Sequence, residues 1–442
     1  MRLKSLHLEN FRGFESFDLD LHEDVSVLIG VNASGKTAIL DALAIALGAW
    51  LSGLDDVEAT EDRTILSSDA RLIPQRSKGL PTANATYPVV VTATGVVRDR
   101  ALSWTREKRG ADGRTTRSGT HELRDVARTA GANARQSETA ELPLLAYYGT
   151  GRLWVQKRDT RAPKLGPRTE GYTACLAAAS NTKLFQRWME WRQQARLQRI
   201  ASGLDRGEDP SEFMRAPHLD AVVAATVACL PGAANLTWDA NHKELQVSMK
   251  DGRVLPFQAL SDGQRSLVVL AADIAWRAAQ LNPFHGEQAP QLTRGVVLID
   301  ELELHLHPAW QRNVLGSLRT AFPKVQFVVT THSPQVLAST EPAWVRLLGE
   351  SSAVVPGYSR GKDTNAILRE LMGVPERPPE TTRKLYELEQ RIESGDLVAA
   401  RALLDELKLQ LGQDQALLGL EWELHANELP KETEDALDQE AH

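Results

Sequence analysis

The sequence predicts an α/β fold built on a mixed, largely parallel central sheet. Four short apolar runs have the length of strands that are buried on both faces, namely residues 25–29, 142–147, 296–299 and 326–329. Small or polar residues follow each run at once, and an apolar helical pattern follows the first. Because ligands of such sheets bind beyond the carboxyl ends of the strands, these polar residues are the candidates for chemistry.

Composition excludes several classes of protein. The 442 residues are 42% hydrophobic and 25% charged, as in a globular protein of two or three domains. No apolar run approaches the ~18 residues of a membrane span, and no signal-like stretch follows the N-terminus, so we expect neither membrane insertion nor secretion. Cys175 and Cys229 are far apart, which argues against a disulfide scaffold or a zinc site and favours the cytoplasm.

The order of these patterns predicts five segments. The segment 1–54 is an N-terminal lobe, 55–141 an inserted basic β/α lobe with mobile loops, and 142–255 holds a strand, a helical subdomain and a hairpin. The segment 256–350 is the C-terminal lobe of the same sheet. The segment 351–442 is predicted to contain a helical hairpin, with helices 382–393 and 397–411, followed by an acidic tail that is disordered from Lys431.

Charge is distributed unevenly along the chain. The net charge is −7, yet residues 379–442 carry 16 acidic and 6 basic residues, whereas residues 98–168 carry 16 basic and 8 acidic ones. A solvated surface explains such a bias, and so does contact with nucleic acid. If the segment contacts nucleic acid, we expect five basic residues to bind the phosphate backbone: Arg106, Lys108, Arg109, Arg114 and Arg117.

The strongest motif is a glycine-rich loop between the first strand and its helix. It runs Gly30-Val31-Asn32-Ala33-Ser34-Gly35-Lys36-Thr37, and Ala38 continues into the helix. In such a loop, backbone N–H groups and the positive end of the helix bind phosphate oxygens. We expect Lys36 to bridge the β- and γ-phosphates of ATP and the Thr37 hydroxyl to bind Mg²⁺.

The third apolar run delivers two adjacent carboxylates to the end of its strand. Asp300 is predicted to hold Mg²⁺ through water, and Glu301 to orient and deprotonate the attacking water. The fourth run ends at Thr330-Thr331-His332, where His332 is either structural or a sensor of the γ-phosphate.

A third motif, Leu260-Ser261-Asp262-Gly263-Gln264, precedes an apolar helix. Ser261 is the predicted N-cap, and Gly263 leaves the turn open to a ligand. Taken alone, the motif is also explained as a well-capped helix.

The four motifs in this order resemble those of the ATP-binding-cassette (ABC) ATPases, and residues 6–14 resemble the start of the RecF/SMC branch. The resemblance implies an ABC-type head that holds ATP between two copies. Lys36, Glu301 and His332 are then catalytic in one copy, whereas Ser261, Gly263 and Gln264 reach the nucleotide of the other. Arg12 would approach the phosphates. ATP would close a homodimer, which could assemble further, and hydrolysis would open it.

Among such ATPases, the chain resembles the compact antiphage and retron-associated kind. The resemblance rests on residues 147–154, 260–265, 363–368, 372–374 and 395–397, and the nearest named family is PtuA of the Septu defence system. It implies a nuclease partner of the HNH type, as PtuB is for PtuA. Asp262 and Leu302 depart from the common pattern, and Gln156 is a weak candidate for the Q-loop glutamine.

Two other functions remain open at this stage. One is a RecF-like repair ATPase that binds DNA through its basic segment. The other is a nucleotide-gated scaffold without turnover, against which the intact Glu301 and His332 argue. A transporter subunit fits least, because it leaves the inserted lobe without a role.

Overall fold

The computed structural model describes residues 1–58, 61–77, 80–151, 167–178, 182–207 and 216–428. The chain divides into two compact units, the first ending at Ile367 and the second beginning at Leu368. No helix within these described ranges is both long and apolar enough to cross a membrane.

The strands are β1 (Arg2–Phe11), β2 (Phe14–Asp20), β3 (Val25–Ile29), β4 (Leu72–Ser77), β5 (Leu80–Ala85), β6 (Val89–Val97), β7 (Arg100–Lys108), β8 (Leu144–Tyr148), β9 (Ala233–Asp239), β10 (Glu244–Met249), β11 (Val254–Pro256), β12 (Gly295–Ile299), β13 (Val325–Thr330), β14 (Val345–Leu348) and β15 (Ala353–Val354). The helices are α1 (Lys36–Leu51), α2 (His121–Gln136), α3 (Thr182–Asp205), α4 (Pro217–Cys229), α5 (Asp262–Leu281), α6 (Ala289–Leu292), α7 (Pro308–Gln311), α8 (Val314–Ala321), α9 (Pro334–Ala338), α10 (Thr364–Glu370), α11 (Pro379–Glu393), α12 (Leu397–Leu411) and α13 (Gln415–Glu428).

The central sheet has the strand order β15-β14-β3-β13-β12-β8. All pairs are parallel except β14 with β15, and the four apolar runs supply β3, β8, β12 and β13. Every residue of these four strands is buried, as expected for a sheet covered on both faces. The predicted α/β class with a mixed central sheet is therefore confirmed.

Helix α1 lies between two sheets. Every residue from Ala38 to Leu51 is buried, which explains why the sequence of this helix is apolar on all sides. The second sheet has the order β2-β1-β6-β7 and is antiparallel throughout. Trp104 of β7 anchors the helix to this sheet, because its indole N–H donates to the Ala46 carbonyl at 3.0 Å.

The segment predicted as an inserted lobe continues the N-terminal sheet. The sequence predicts two strands there, at residues 87–97 and 102–107, which correspond to β6 and β7, and β6 pairs directly with β1. The expectation of loops was wrong for residues 121–136, which form α2. The helix escaped prediction because its buried stripe consists mainly of small residues, including Ala127, Ala130 and Gly131, among arginines.

The middle of the chain matches its predicted elements. Helices α3 and α4 occupy the helical stretch, and β9 with β10 forms the predicted hairpin, extended by β11.

The second unit contains three helices rather than the predicted hairpin alone. Helices α11 and α12 occupy the predicted positions, and α13 adds Leu417 and Leu424 to the apolar core that they form. The third helix was missed because its two core leucines are seven residues apart among exposed apolar ones such as Trp422. The predicted disorder from Lys431 concerns residues outside the described ranges.

Candidate functional site

The glycine-rich loop joins β3 to α1 at the carboxyl end of the central sheet. Its lysine is buried, and the Lys36 ammonium donates to the carbonyls of Gly30 (2.8 Å) and Val31 (3.1 Å). Gly35 has a φ of 88°, and an added Cβ there would lie 2.3 Å from the ring of Phe14. Only glycine fits both the backbone conformation and the space at this position.

Strand β12 brings Asp300 to this loop. The Thr37 hydroxyl donates to Asp300 Oδ2 at 2.9 Å, so the two residues predicted to bind magnesium lie together. The Thr330 hydroxyl from β13 donates to Asp300 Oδ1 at 2.6 Å and accepts from the Glu301 N–H at 2.7 Å. One threonine thus fixes both carboxylate residues, and Glu301 leaves the strand at a φ of 48°.

The electrostatics of the site centre on Lys36. Burial lowers the pKa of its ammonium, against the opposing attraction of the carboxylates of Asp300, Glu301 and Glu303. A cation already placed among three carboxylates can bind the anionic phosphates of a nucleotide while magnesium compensates the carboxylates. The Thr37 hydroxyl and the Asp300 carboxylate are hard oxygen donors, so this donor set fits Mg²⁺.

His332 follows β13 on the same edge of the sheet. Its backbone N–H donates to Glu303 Oε1 at 2.5 Å, and the hydroxyl of the preceding Thr331 donates to Glu303 Oε2 at 2.6 Å. The loop after Glu301 is therefore tied to the loop that carries the histidine. Because Glu303 accepts both bonds, it positions His332 relative to the carboxylates.

The third motif begins α5, with Ser261 as the N-cap. The Gln264 N–H donates to Ser261 Oγ at 3.3 Å, and the Ser261 N–H donates to Gln264 Oε1 at 3.0 Å, which is a capping box. Asp262 forms an ion pair with Arg265 along the same helix. An added Cβ on Gly263 would lie 2.5 Å from the His305 carbonyl, so this turn packs against the loop beyond Glu303.

Asp41 joins several elements beneath the glycine-rich loop. One of its oxygens accepts from Arg12 at 2.7 Å, and the other accepts from Arg63 at 2.5 Å and from the Tyr147 hydroxyl at 3.0 Å. Arg12 also binds Asp69, with nitrogen and oxygen 2.8 Å apart. The arginine predicted to approach the phosphates is held here by two carboxylates, one helical turn along α1 from Thr37.

The basic segment does not present all of its predicted cations to solvent. Arg106 is buried and forms an ion pair with Asp62 at 2.6 Å, and Lys108 is buried and donates to the Gly113 carbonyl. Both are committed to interior contacts, so these two members of the set do not support the alternative in which the basic segment binds nucleic acid. Arg109 is 73% exposed.

Gln156, the candidate for the Q-loop glutamine, lies outside the described residues.

Comparison with known proteins gives similarity along nearly the whole chain. The "Retron Ec83 probable ATPase" of Escherichia coli is 27% identical over 95% of this chain and 85% of its own length. The chain is therefore similar to retron-associated ATPases over nearly its whole length. The "Retron Vc95 probable ATPase" of Vibrio cholerae serotype O1 biovar El Tor is 24% identical over 79% of the chain and 74% of its own length.

The other similarities cover parts of this chain. Septu protein PtuA of Bacillus mycoides is 39% identical over 21% of the chain and 12% of its own length. An AAA-domain model matches residues 5–200, and a second AAA-domain model, described for the AbiEii toxin of Type IV TA systems, matches residues 180–338. The predicted resemblance to antiphage and retron ATPases is confirmed.

Three residues of the site had no predicted role: Thr330, Glu303 and Asp41. Asp41 had a signal in the sequence, since it is a lone carboxylate in the otherwise apolar α1. Thr330 and Glu303 had no signal for these contacts in the sequence. Each bonds a loop that follows the neighbouring strand, and the two loops are adjacent only because β12 and β13 pair in parallel.

Proposed function

We propose that this protein hydrolyses ATP with Mg²⁺ at a site shared by two copies, and that this cycle regulates a partner nuclease in antiphage defence. The observation that carries the proposal is the hydrogen-bonded series Thr37–Asp300–Thr330–Glu301, which unites three separate motifs at one edge of the sheet. The similarity to the "Retron Ec83 probable ATPase" over 95% of this chain supports the defence context.

The residues of one copy account for binding and for proton removal. The backbone N–H groups of the loop 30–37 and the Lys36 ammonium bind the phosphate oxygens. Thr37 and Asp300 would hold Mg²⁺, which neutralises charge on the β- and γ-phosphates. In this proposal Glu301 accepts the proton of the attacking water, and His332 would contact the γ-phosphate.

The second copy supplies the turn around Ser261. Ser261 is exposed, and its capping partner Gln264 belongs to the same turn. The N-terminus of α5 attracts anions, and we propose that it contacts the γ-phosphate held by the other copy. Closure would then require ATP, and opening would require its hydrolysis.

The proposed partner is a nuclease of the HNH type. The local similarity to PtuA supports a defence partner, and the interior contacts of Arg106 and Lys108 weaken the DNA-repair alternative. The sequence itself contains no HNH or Toprim constellation.

Phosphate release from ATP tests the enzymatic part. We expect the wild-type protein to release phosphate in a Mg²⁺-dependent reaction that EDTA abolishes. The Lys36→Ala variant should lose both this release and its affinity for nucleotide. The regulatory part is tested by measuring DNA cleavage by an HNH nuclease encoded beside the gene. The nuclease is assayed with wild-type protein and with the Lys36→Ala variant. Identical DNA cleavage with and without either ATPase form would overturn the regulation while leaving hydrolysis intact.

A further inference from the structure

We propose that the face between α3 and α4 binds a phosphate group, carried either by a nucleic-acid strand or by a free phosphate compound. The face is distinct from the glycine-rich loop and from the basic segment 98–168. Its residues are Trp188, Arg192, Arg196 and Arg199 of α3 and His218 of α4.

The first observation is a set of buried hydrogen-bond donors without partners in the described part of the chain. They are the Trp188 indole N–H, the Arg192 Nε–H and the Nδ1 position of His218. Buried polar atoms are nearly always hydrogen-bonded in folded proteins, so three orphans on one face need an explanation. A bound acceptor with several oxygens supplies it.

The second observation is positive charge with little compensation. The pKa of His218 is lowered by burial and by the nearby charges of Arg192 and Arg199. Burial and the charge of Arg199 also lower the pKa of Arg192. Among the described residues, the carboxylate that faces this cluster is Asp220, whose oxygen lies 3.9 Å from Arg196. Three arginines that repel one another, paired among the described residues with a single carboxylate, favour an additional anion.

The beginning of α4 lies beside this cluster. His218 and Asp220 both stand in the first turn of the helix, and the Asp220 carboxylate accepts from the Ala216 N–H at 3.0 Å, so the positive helix end is already compensated and only the side-chain cations favour an anion. Arg192 also packs on two indoles, with its guanidinium carbon 5.6 Å from the ring centre of Trp188 and 5.1 Å from that of Trp191. The combination of arginines and aromatic rings is typical of surfaces that bind single strands.

The experiment measures binding of fluorescent strands by anisotropy across a salt series. The probes are single-stranded DNA, single-stranded RNA and duplex DNA of ~20 units, longer than the ~4–16 nucleotides that one such site covers. The test variant is Arg199→Gln, whose side chain is exposed, so the fold does not depend on it. The matched control is Arg109→Gln, an exposed arginine of the basic segment.

We expect Arg199→Gln to weaken strand binding about fivefold at 0.1 M salt. The slope of log affinity against log salt should fall by ~0.7, the value for one lost phosphate contact on a single strand. Arg109→Gln should leave both quantities unchanged, and Arg192→Gln should reproduce the effect of Arg199→Gln if the protein remains folded by circular dichroism.

A second arm distinguishes the source of the phosphate. Pyrophosphate is added to Lys36→Ala protein, in which the glycine-rich loop no longer binds it, and the melting temperature is measured. If pyrophosphate raises the melting temperature, Arg199→Gln abolishes this rise, and no strand binds in the first arm, then the ligand is a free phosphate compound. The proposal is overturned if neither probe distinguishes Arg199→Gln from its parent protein, or if only Arg109→Gln weakens binding. Neither result depends on ATP hydrolysis.

Discussion

Helices α1 and α5 both begin at a glycine-containing turn that the sequence associates with phosphate, and both are buried along most of their length. They differ in what their first residues contact. At the start of α1, Lys36 is buried, and Thr37 is joined to Asp300 and, through Thr330, to Glu301. The start of α5 carries an exposed Ser261, and its capping box is closed by residues of its own turn.

This difference supports the proposal that one chain contains half of a nucleotide site. The α1 half places Lys36, the proposed magnesium residues Thr37 and Asp300, and the proposed base Glu301 at one edge of the sheet. In the α5 half, Gly263 packs against the His305 carbonyl, and the exposed helix end would reach a phosphate held by the second copy. We propose that a symmetric pair of copies joins the two halves.

The largest effect is expected from Glu301→Gln in the α1 half. Removing the general base should lower phosphate release by a factor of about 10²–10⁴, with nucleotide affinity retained. Phosphate release and nucleotide binding are measured in parallel, with the exposed Glu350→Gln as control. Unchanged turnover in the Glu301 variant would remove this residue from the role of base.

Mixing two inactive variants tests whether the α1 half and the α5 half of one site come from different copies. Lys36→Ala disables the α1 half, and Ser261→Arg blocks the α5 half. Each alone should be inactive, whereas an equal mixture should recover about a quarter of wild-type phosphate release, because half of the random dimers contain one intact site. Activity of Ser261→Arg alone would show that the α5 half is not needed.

A smaller loss is expected from Glu303→Gln. The amide retains one acceptor oxygen but cannot accept from both Thr331 and His332, so one buried donor is left unpaired at a cost of about 1–3 kcal/mol. We expect phosphate release to fall about tenfold or more while ATP affinity stays constant. A change in affinity without a change in turnover would show that Glu303 does not act through His332.

The smallest effect concerns stability, measured by urea unfolding. Gly263→Ala places a Cβ within 2.5 Å of the His305 carbonyl and should destabilise the first unit by about 1–3 kcal/mol. The control is Gly316→Ala in α8, where no atom lies within 4 Å of the added Cβ and helix propensity should add about 0.5–1 kcal/mol. Equal effects of the two changes would remove the packing role of Gly263.

Much of this architecture was predictable from the sequence. Strands buried on both faces are continuous apolar runs, so β3, β8, β12 and β13 and the polar residues after them stand out. Helices whose buried face consists of small or widely spaced apolar residues did not stand out in the sequence, as α2 and α13 show. Contacts made between loops, such as Glu303 with His332 or Asp41 with Arg12, depend on strand order and leave no local pattern.

The shared site is tested most directly by light scattering from the Glu301→Gln variant with and without Mg-ATP. The chain mass is 48.7 kDa. We expect the mass with Mg-ATP to reach at least twice that of the chain, since bound ATP that is not hydrolysed keeps two copies closed. Without nucleotide we expect a lower mass. A variant that binds ATP and yet retains the mass of a single chain would contradict the account.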